Sequence, residues 1–174
     1  MCNEWENLKP AITFAKAAAK EHEGAKIIGC ACYTKPTKEG RMAWPPEEMA
    51  ELAVRLAREG GVDIIEIKDY AGNLFSEQDA RKYANAKKWL GKDDWKNMSA
   101  AHVVKTICDA LKEAKEKGEI KEIPPVHLHS HGQKPKALDE ALNAGAAVVD
   151  VGIGKLSARD KGEINTLAFT NIRD

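Results

Sequence analysis

Net charge is the first thing this sequence lacks. Its 27 lysines and arginines balance 27 aspartates and glutamates, so nothing draws the chain to nucleic acid or an anionic membrane through bulk electrostatics. Long apolar runs are missing too, and no stretch reaches the roughly 18 residues that a membrane span needs. The opening MCNEWENLKP has neither a basic start nor an apolar run, and is not expected to act as a signal peptide. Four cysteines without secretory context read as reduced thiols of a cytoplasmic protein. The four tryptophans form no stacking stripe, and no Pro- or Ser-rich linker or low-complexity tail divides the chain.

What is present is an ordinary globular composition, 43% hydrophobic and 31% charged. A chain of 174 residues suits one domain with a substantial core. The segment KIIGCACYT (26–34) is apolar, β-favouring and ends in a polar turn. PPEEMAELAVRLAREGG follows with prolines at the first helical turn and glycines at the stop, and Met49, Leu52, Ala53 and Leu56 fall on one helical face. VDIIEIKDYAG (62–72) is the second predicted strand. A long helical region runs from Ser76 to about Lys117, interrupted at LGKDDWKNMS, where Ser99 is expected to cap the second helix. PPVHLHSHG (124–132) is the third strand, KPKALDEALNAG a short helix, and AAVVDVGIG (146–154) the fourth strand. NLKPAITFAKAAAKEH makes a helix ahead of the first strand. Apolar strands alternating with amphipathic helices predict an α/β fold with about four parallel strands and flanking helices.

Three of the five histidines, His127, His129 and His131, occupy alternate positions of one predicted strand, so all three imidazoles share a face. Every strand also carries unusual polar residues near its carboxyl end: Tyr33 and Thr34, then Lys68, Asp69 and Tyr70, then His129 and His131, then Asp150. Parallel α/β sheets bind ligands at that edge. Glu66 shares a face with Lys68, and Gly29, Ala31 and Tyr33 form another set, small enough to leave room for a ligand. Two imidazoles at i and i+2 can hold a divalent cation if an anionic group approaches from a neighbouring strand, with Glu66, Asp69, Asp150 or a carbamylated Lys68 as candidates. A histidine cluster that merely hydrogen-bonds at a strand end is the alternative, and a buried Lys68 could also serve as a Schiff-base nucleophile. Cys30 and Cys32 share a face and read as small buried apolar residues. Gly152 and Gly154 read as a plain loop.

CYT, IKDYAG, HLHSHG and NAGAAVVDVGIG, in this order and rough spacing, resemble the carboxyltransferase domain of biotin-dependent enzymes: pyruvate carboxylase, the oxaloacetate decarboxylase alpha subunit and the transcarboxylase central subunit. That family belongs to the group of TIM barrels that includes hydroxymethylglutaryl-CoA lyase. The resemblance covers about residues 3 to 154. It implies a divalent metal (zinc, manganese or cobalt) held by His129 and His131, with Lys68 as a carbamylated ligand and His127 outside the ligand set. It further implies catalytic roles for Lys68, Asp69 and Tyr33, and a substrate pocket lined by Tyr33, Asp150 and Gly152. The implied reaction moves a carboxyl group between biotin, supplied by a partner carrier, and pyruvate or oxaloacetate. A metal-dependent aldol-type lyase of the same barrel group, or a non-catalytic half-barrel that binds a partner chain, are the alternatives.

The departures from the family are equally specific. The family's first-strand aspartate ligand would precede Met1, a complete barrel needs eight strands, and no biotin-accepting Met-Lys-Met is present. The expectation is therefore a single partial (β/α) barrel domain over 1–174, with a helical insertion at about 76–98. Such a unit is expected to form a homo-oligomer or to have its barrel completed by another chain.

Overall fold

The computed structural model describes residues 3–37, 42, 44–87, 90–91, 93–131 and 134–150. A helix, α1 (Trp5–Ala19), leads into strand β1 (Ile28–Cys32). Then come α2 (Pro46–Arg55), β2 (Ile64–Asp69), α3 (Glu77–Ala86), α4 (Ala100–Glu116), β3 (Val126–Ser130), α5 (Pro135–Asn143) and β4 (Val148–Val149). All four strands are parallel, and their spatial order is their order in sequence. Right-handed crossovers that always step to the next strand leave every connecting helix on the same side of the sheet. This is the arrangement of a partial (β/α) barrel; a doubly wound sheet reverses direction and puts helices on both faces.

The elements form where local chemistry favours them. Pro45 and Pro46 open α2, where a missing N–H costs nothing. After α2 the chain continues through a π-helical turn, Leu56–Gly60, and stops at Gly61, whose φ of 57° is left-handed. Ser76 and Ser99 cap α3 and α4 by accepting from the amides of Asp79 and His102. A short 3-10 turn, Lys96–Met98, separates the two helices, as the interruption in the sequence predicts.

One face of the sheet builds the core. Ala31, Ile65, Ile67, Val126 and Leu128 are buried there against Met49, Leu52, Ala53 and Leu56 of the α2 segment, Val104, Ile107 and Leu111 of α4, and Leu138 of α5. Gly29 is on this face because a Cβ would meet Val62 at 3.0 Å and Leu56 at 3.2 Å. The small residues Gly29 and Ala31, read from sequence as room for a ligand, instead admit helix side chains. Along β1 the outer backbone is closed by buried Asn3: its side-chain amide donates to the Cys32 carbonyl at 2.8 Å, and its oxygen accepts the Cys32 N–H at 2.7 Å. One side chain thus replaces a neighbouring strand at that residue. Cys30 and Cys32, expected in the core, are only half-buried and lie on the other face.

The observed strands are shorter than the apolar runs that predict them. Tyr33 lies just past β1 and Tyr70 just past β2. The part of the fourth predicted strand beyond Asp150, with Gly152, lies outside the described residues. Among the described residues no helix is long and apolar enough to cross a membrane.

Candidate active site

Strand register assembles the second face in layers. Cys30, Glu66, His127 and Val148 are neighbours across β1 to β4. One pleat nearer the carboxyl ends, Cys32, Lys68 and His129 are neighbours in turn. Asp150 follows β4 and reaches back over the same face.

These side chains form a connected polar chain. A carboxylate oxygen of Glu66 lies 3.1 Å from Cys30 Sγ, which donates to it, and 3.7 Å from Lys68 Nζ. The other Glu66 oxygen is 3.3 Å from His127 Nδ1. His127 Nε2 lies 2.8 Å from Asp150 Oδ1, and Asp150 Oδ2 pairs with His129 Nδ1. His129 Nε2 then faces His131 Nε2 at 3.0 Å. The His131 ring meets the Tyr70 ring at a centroid distance of 5.5 Å. Burial opposes ionisation of Asp150, but hydrogen bonds from His127 and His129 hold its carboxyl below the usual carboxylate range. Burial, reinforced by Glu66, pushes the Cys30 thiol well up, so it is no thiolate nucleophile at neutral pH.

Lys68, His129, His131 and Asp150 all belong to this face. Tyr33 and Asp69 do not. Tyr33 is buried on the helix side, where its hydroxyl donates to the Asn97 carbonyl at 2.9 Å, and burial pushes its phenol far up. Its backbone N–H donates to the Lys68 carbonyl at 2.9 Å, which holds the end of β2 in place. Asp69 is 1% exposed. Its carboxylate accepts the Asn73 and Leu74 amides, both at 2.9 Å, and the Ser130 hydroxyl at 2.6 Å. The Asp69 carbonyl accepts from Gly72 and His131, each at 3.3 Å. Gly72 has a φ of 62°, which favours glycine in this tight loop. Asp69 therefore shapes the loop beside the site from behind the sheet. The sequence marks Glu66 as a possible ligand, but nothing in it joins Glu66 to Cys30, nor Tyr70 to His131. The register that joins them is not a property of any one segment.

Among the described residues no three His, Cys, Asp or Glu side chains group to hold a metal. Two imidazole nitrogens do converge. Metal–nitrogen bonds of about 2.0–2.1 Å at a tetrahedral angle put two ligand atoms about 3.3 Å apart, close to the 3.0 Å between the Nε2 atoms of His129 and His131. The donor set therefore fits one divalent cation if a further ligand joins the pair. Lys68, directly beside His129 in the sheet, is the group on hand. A separate hollow of about 350 Å³, lined by Leu74, Phe75, Tyr83 and Lys134 among others, opens by α3 and is lined by none of the three histidines.

No protein-family model matches the sequence, and no curated protein matches it at significance. Solved structures do match. The carboxyl transferase domain of Rhizobium etli pyruvate carboxylase superposes with a TM-score of 0.62 at 21% identity, over 94% of this chain and 22% of that one. The same domain with pyruvate gives a TM-score of 0.62 at 22% identity, and with pyruvate and biocytin 0.61 at 22% identity, with the same coverage. The chain thus spans 22% of the length of these structures. At this identity the likeness establishes the fold: the four-stranded unit is folded like part of that carboxyltransferase domain.

Proposed function

We propose that this chain provides the lysine–histidine part of a metal-dependent carboxyltransferase site, at which a carboxyl group passes between a biotin carrier and a 2-oxo acid of the pyruvate–oxaloacetate kind. The observation that carries this reading is the pairing of Lys68 with His129 on adjacent strands, beside two imidazole Nε2 atoms 3.0 Å apart. His129 and His131 would hold the cation, and Lys68 as its carbamate would add oxygen donors from β2. A zinc, manganese or cobalt ion bound there would supply positive charge to stabilise the negative charge that develops on the 2-oxo acid as the carboxyl group is gained or lost.

The other residues prepare this arrangement. The Lys68 side chain is 31% exposed, so carbon dioxide reaches Nζ. Forming the carbamate joins the neutral Lys68 amine to the carbon of carbon dioxide as one C=O π bond opens onto oxygen, and the amine proton passes to solvent; the Glu66 carboxylate lies 3.7 Å from Nζ. Tyr33 and Asp69 act from behind the sheet, fixing the backbone of Lys68 and His131. The pyruvate and biocytin complexes of the Rhizobium etli domain support the choice of substrates.

Broadening of the pyruvate methyl resonance by manganese tests the reading. Wild-type protein with Mn²⁺ is expected to broaden it well beyond Mn²⁺ alone, and the His129→Ala, His131→Ala double variant is not. Trapping of carbon dioxide is expected to add a carbamate-derived mass to the Lys68 peptide. Absence of both effects in folded wild-type protein overturns the assignment.

A further inference from the structure

Among the described residues, Asp150 is the one carboxylate that touches two of the three histidines. Oδ1 meets His127 Nε2 at 2.8 Å, and Oδ2 meets His129 Nδ1. A carboxylate only accepts hydrogen bonds, so the ring nitrogens facing it must carry protons. For His129 this has a chemical consequence. Free neutral imidazole side chains in water favour the tautomer with the proton on Nε2, yet here Nε2 is the atom turned to His131 at 3.0 Å. A proton there would occupy the lone pair that a cation needs. Something must hold the disfavoured Nδ1–H form, and Asp150 is in place to do so.

Asp150 is itself held. His127 stands between Asp150 Oδ1 and Glu66 Oε2, at 2.8 Å and 3.3 Å, and Glu66 is anchored across the sheet by the Cys30 thiol. Both oxygens of Asp150 are thereby engaged with protein.

We propose that Asp150 is the positioning residue of this site, fixing His129 as the Nδ1–H tautomer with Nε2 bare towards His131, while the Glu66–His127 pair fixes Asp150. This deepens the functional reading above and rests on it for its consequence in metal binding. The tautomer itself is a property of the metal-free chain. Carboxylates behind metal-bound histidines act in this way, and their loss costs roughly 10–100-fold in metal affinity.

Long-range ¹⁵N–¹H NMR of the histidine rings in metal-free wild type is expected to show His129 protonated at Nδ1 and bare at Nε2. Asp150→Ala is expected to shift His129 to the Nε2–H form and to weaken Zn²⁺ binding roughly 10–100-fold by chelator competition. Asp150→Asn, which keeps an acceptor oxygen, is expected to retain the Nδ1–H form and recover part of the affinity. Thermal melting followed by circular dichroism identifies any variant that fails to fold, and the wild-type tautomer remains decisive in that case. An Nε2–H His129 in wild type overturns the inference. So does a folded Asp150→Ala protein with an unchanged tautomer and unchanged Zn²⁺ affinity. Wild type that binds no Zn²⁺ but shows Nδ1–H His129, lost in Asp150→Ala, supports the positioning role while refuting the metal reading.

Discussion

Ser130 donates its hydroxyl to the carboxylate of Asp69 across the β2–β3 pair, at 2.6 Å. The bond lies on the helix side of the sheet, directly behind the step from Lys68 to His129. It ties the end of β2 and the loop that follows it to the end of β3.

Replacing Asp69 by Ala removes the shared acceptor of the Asn73 and Leu74 amides and of Ser130. The loss is expected to be about 3–5 kcal/mol in urea denaturation, because donors to a buried carboxylate are left to find new partners. Asp69→Asn, which keeps one acceptor oxygen, is expected to lose less.

Asn3 serves both the N–H and the carbonyl of Cys32 from a buried position. Asn3→Ala is expected to cost about 1–3 kcal/mol. Hydrogen exchange gives the residue-level check: the Cys32 amide should lose protection in the variant while Ile67 and Leu128 keep theirs.

Asp63 gives a pH dependence with a definite sign. The Ile27 amide donates to its carboxylate at 2.8 Å and Lys26 lies 3.3 Å away. The backbone hydrogen bond from Ile27 is the main cause that holds this carboxyl below its ordinary value, with Lys26 assisting against a small desolvation effect. A carboxyl with a depressed folded value contributes stability at pH values above the ordinary carboxylate range, and that contribution disappears as pH falls through the folded value. Wild type should therefore be more stable than Asp63→Asn at neutral pH, with the difference in denaturation midpoint shrinking as pH is lowered below the carboxylate range. A difference that stays constant over that range would refute the assignment.

Much of this organisation is legible in the sequence because its causes are local. Pro45 and Pro46 announce the start of α2, Ser99 caps α4, and the apolar positions Met49, Leu52, Ala53 and Leu56 mark a buried helical face. Alternation also puts Glu66 and Lys68 on one face and the three histidines on one face. What alternation leaves open is which face the helices cover. Gly29, Ala31 and Tyr33 read from sequence as room for a ligand; the crossovers make that face a seat for helices, and Tyr33 and Asp69 go with it. The contacts of Asp150 with His127 and His129 depend on the register of β4 against β3, which no single segment specifies.

Metal content of the purified protein after dialysis is the most direct test of the central claim, that His129 and His131 hold a divalent cation. Wild type should retain a stoichiometric divalent ion by elemental mass spectrometry, and the His129→Ala, His131→Ala double variant, folded by circular dichroism, should have lost it. Equal metal content in the two proteins, or none in wild type supplied with zinc, manganese and cobalt, would contradict the account.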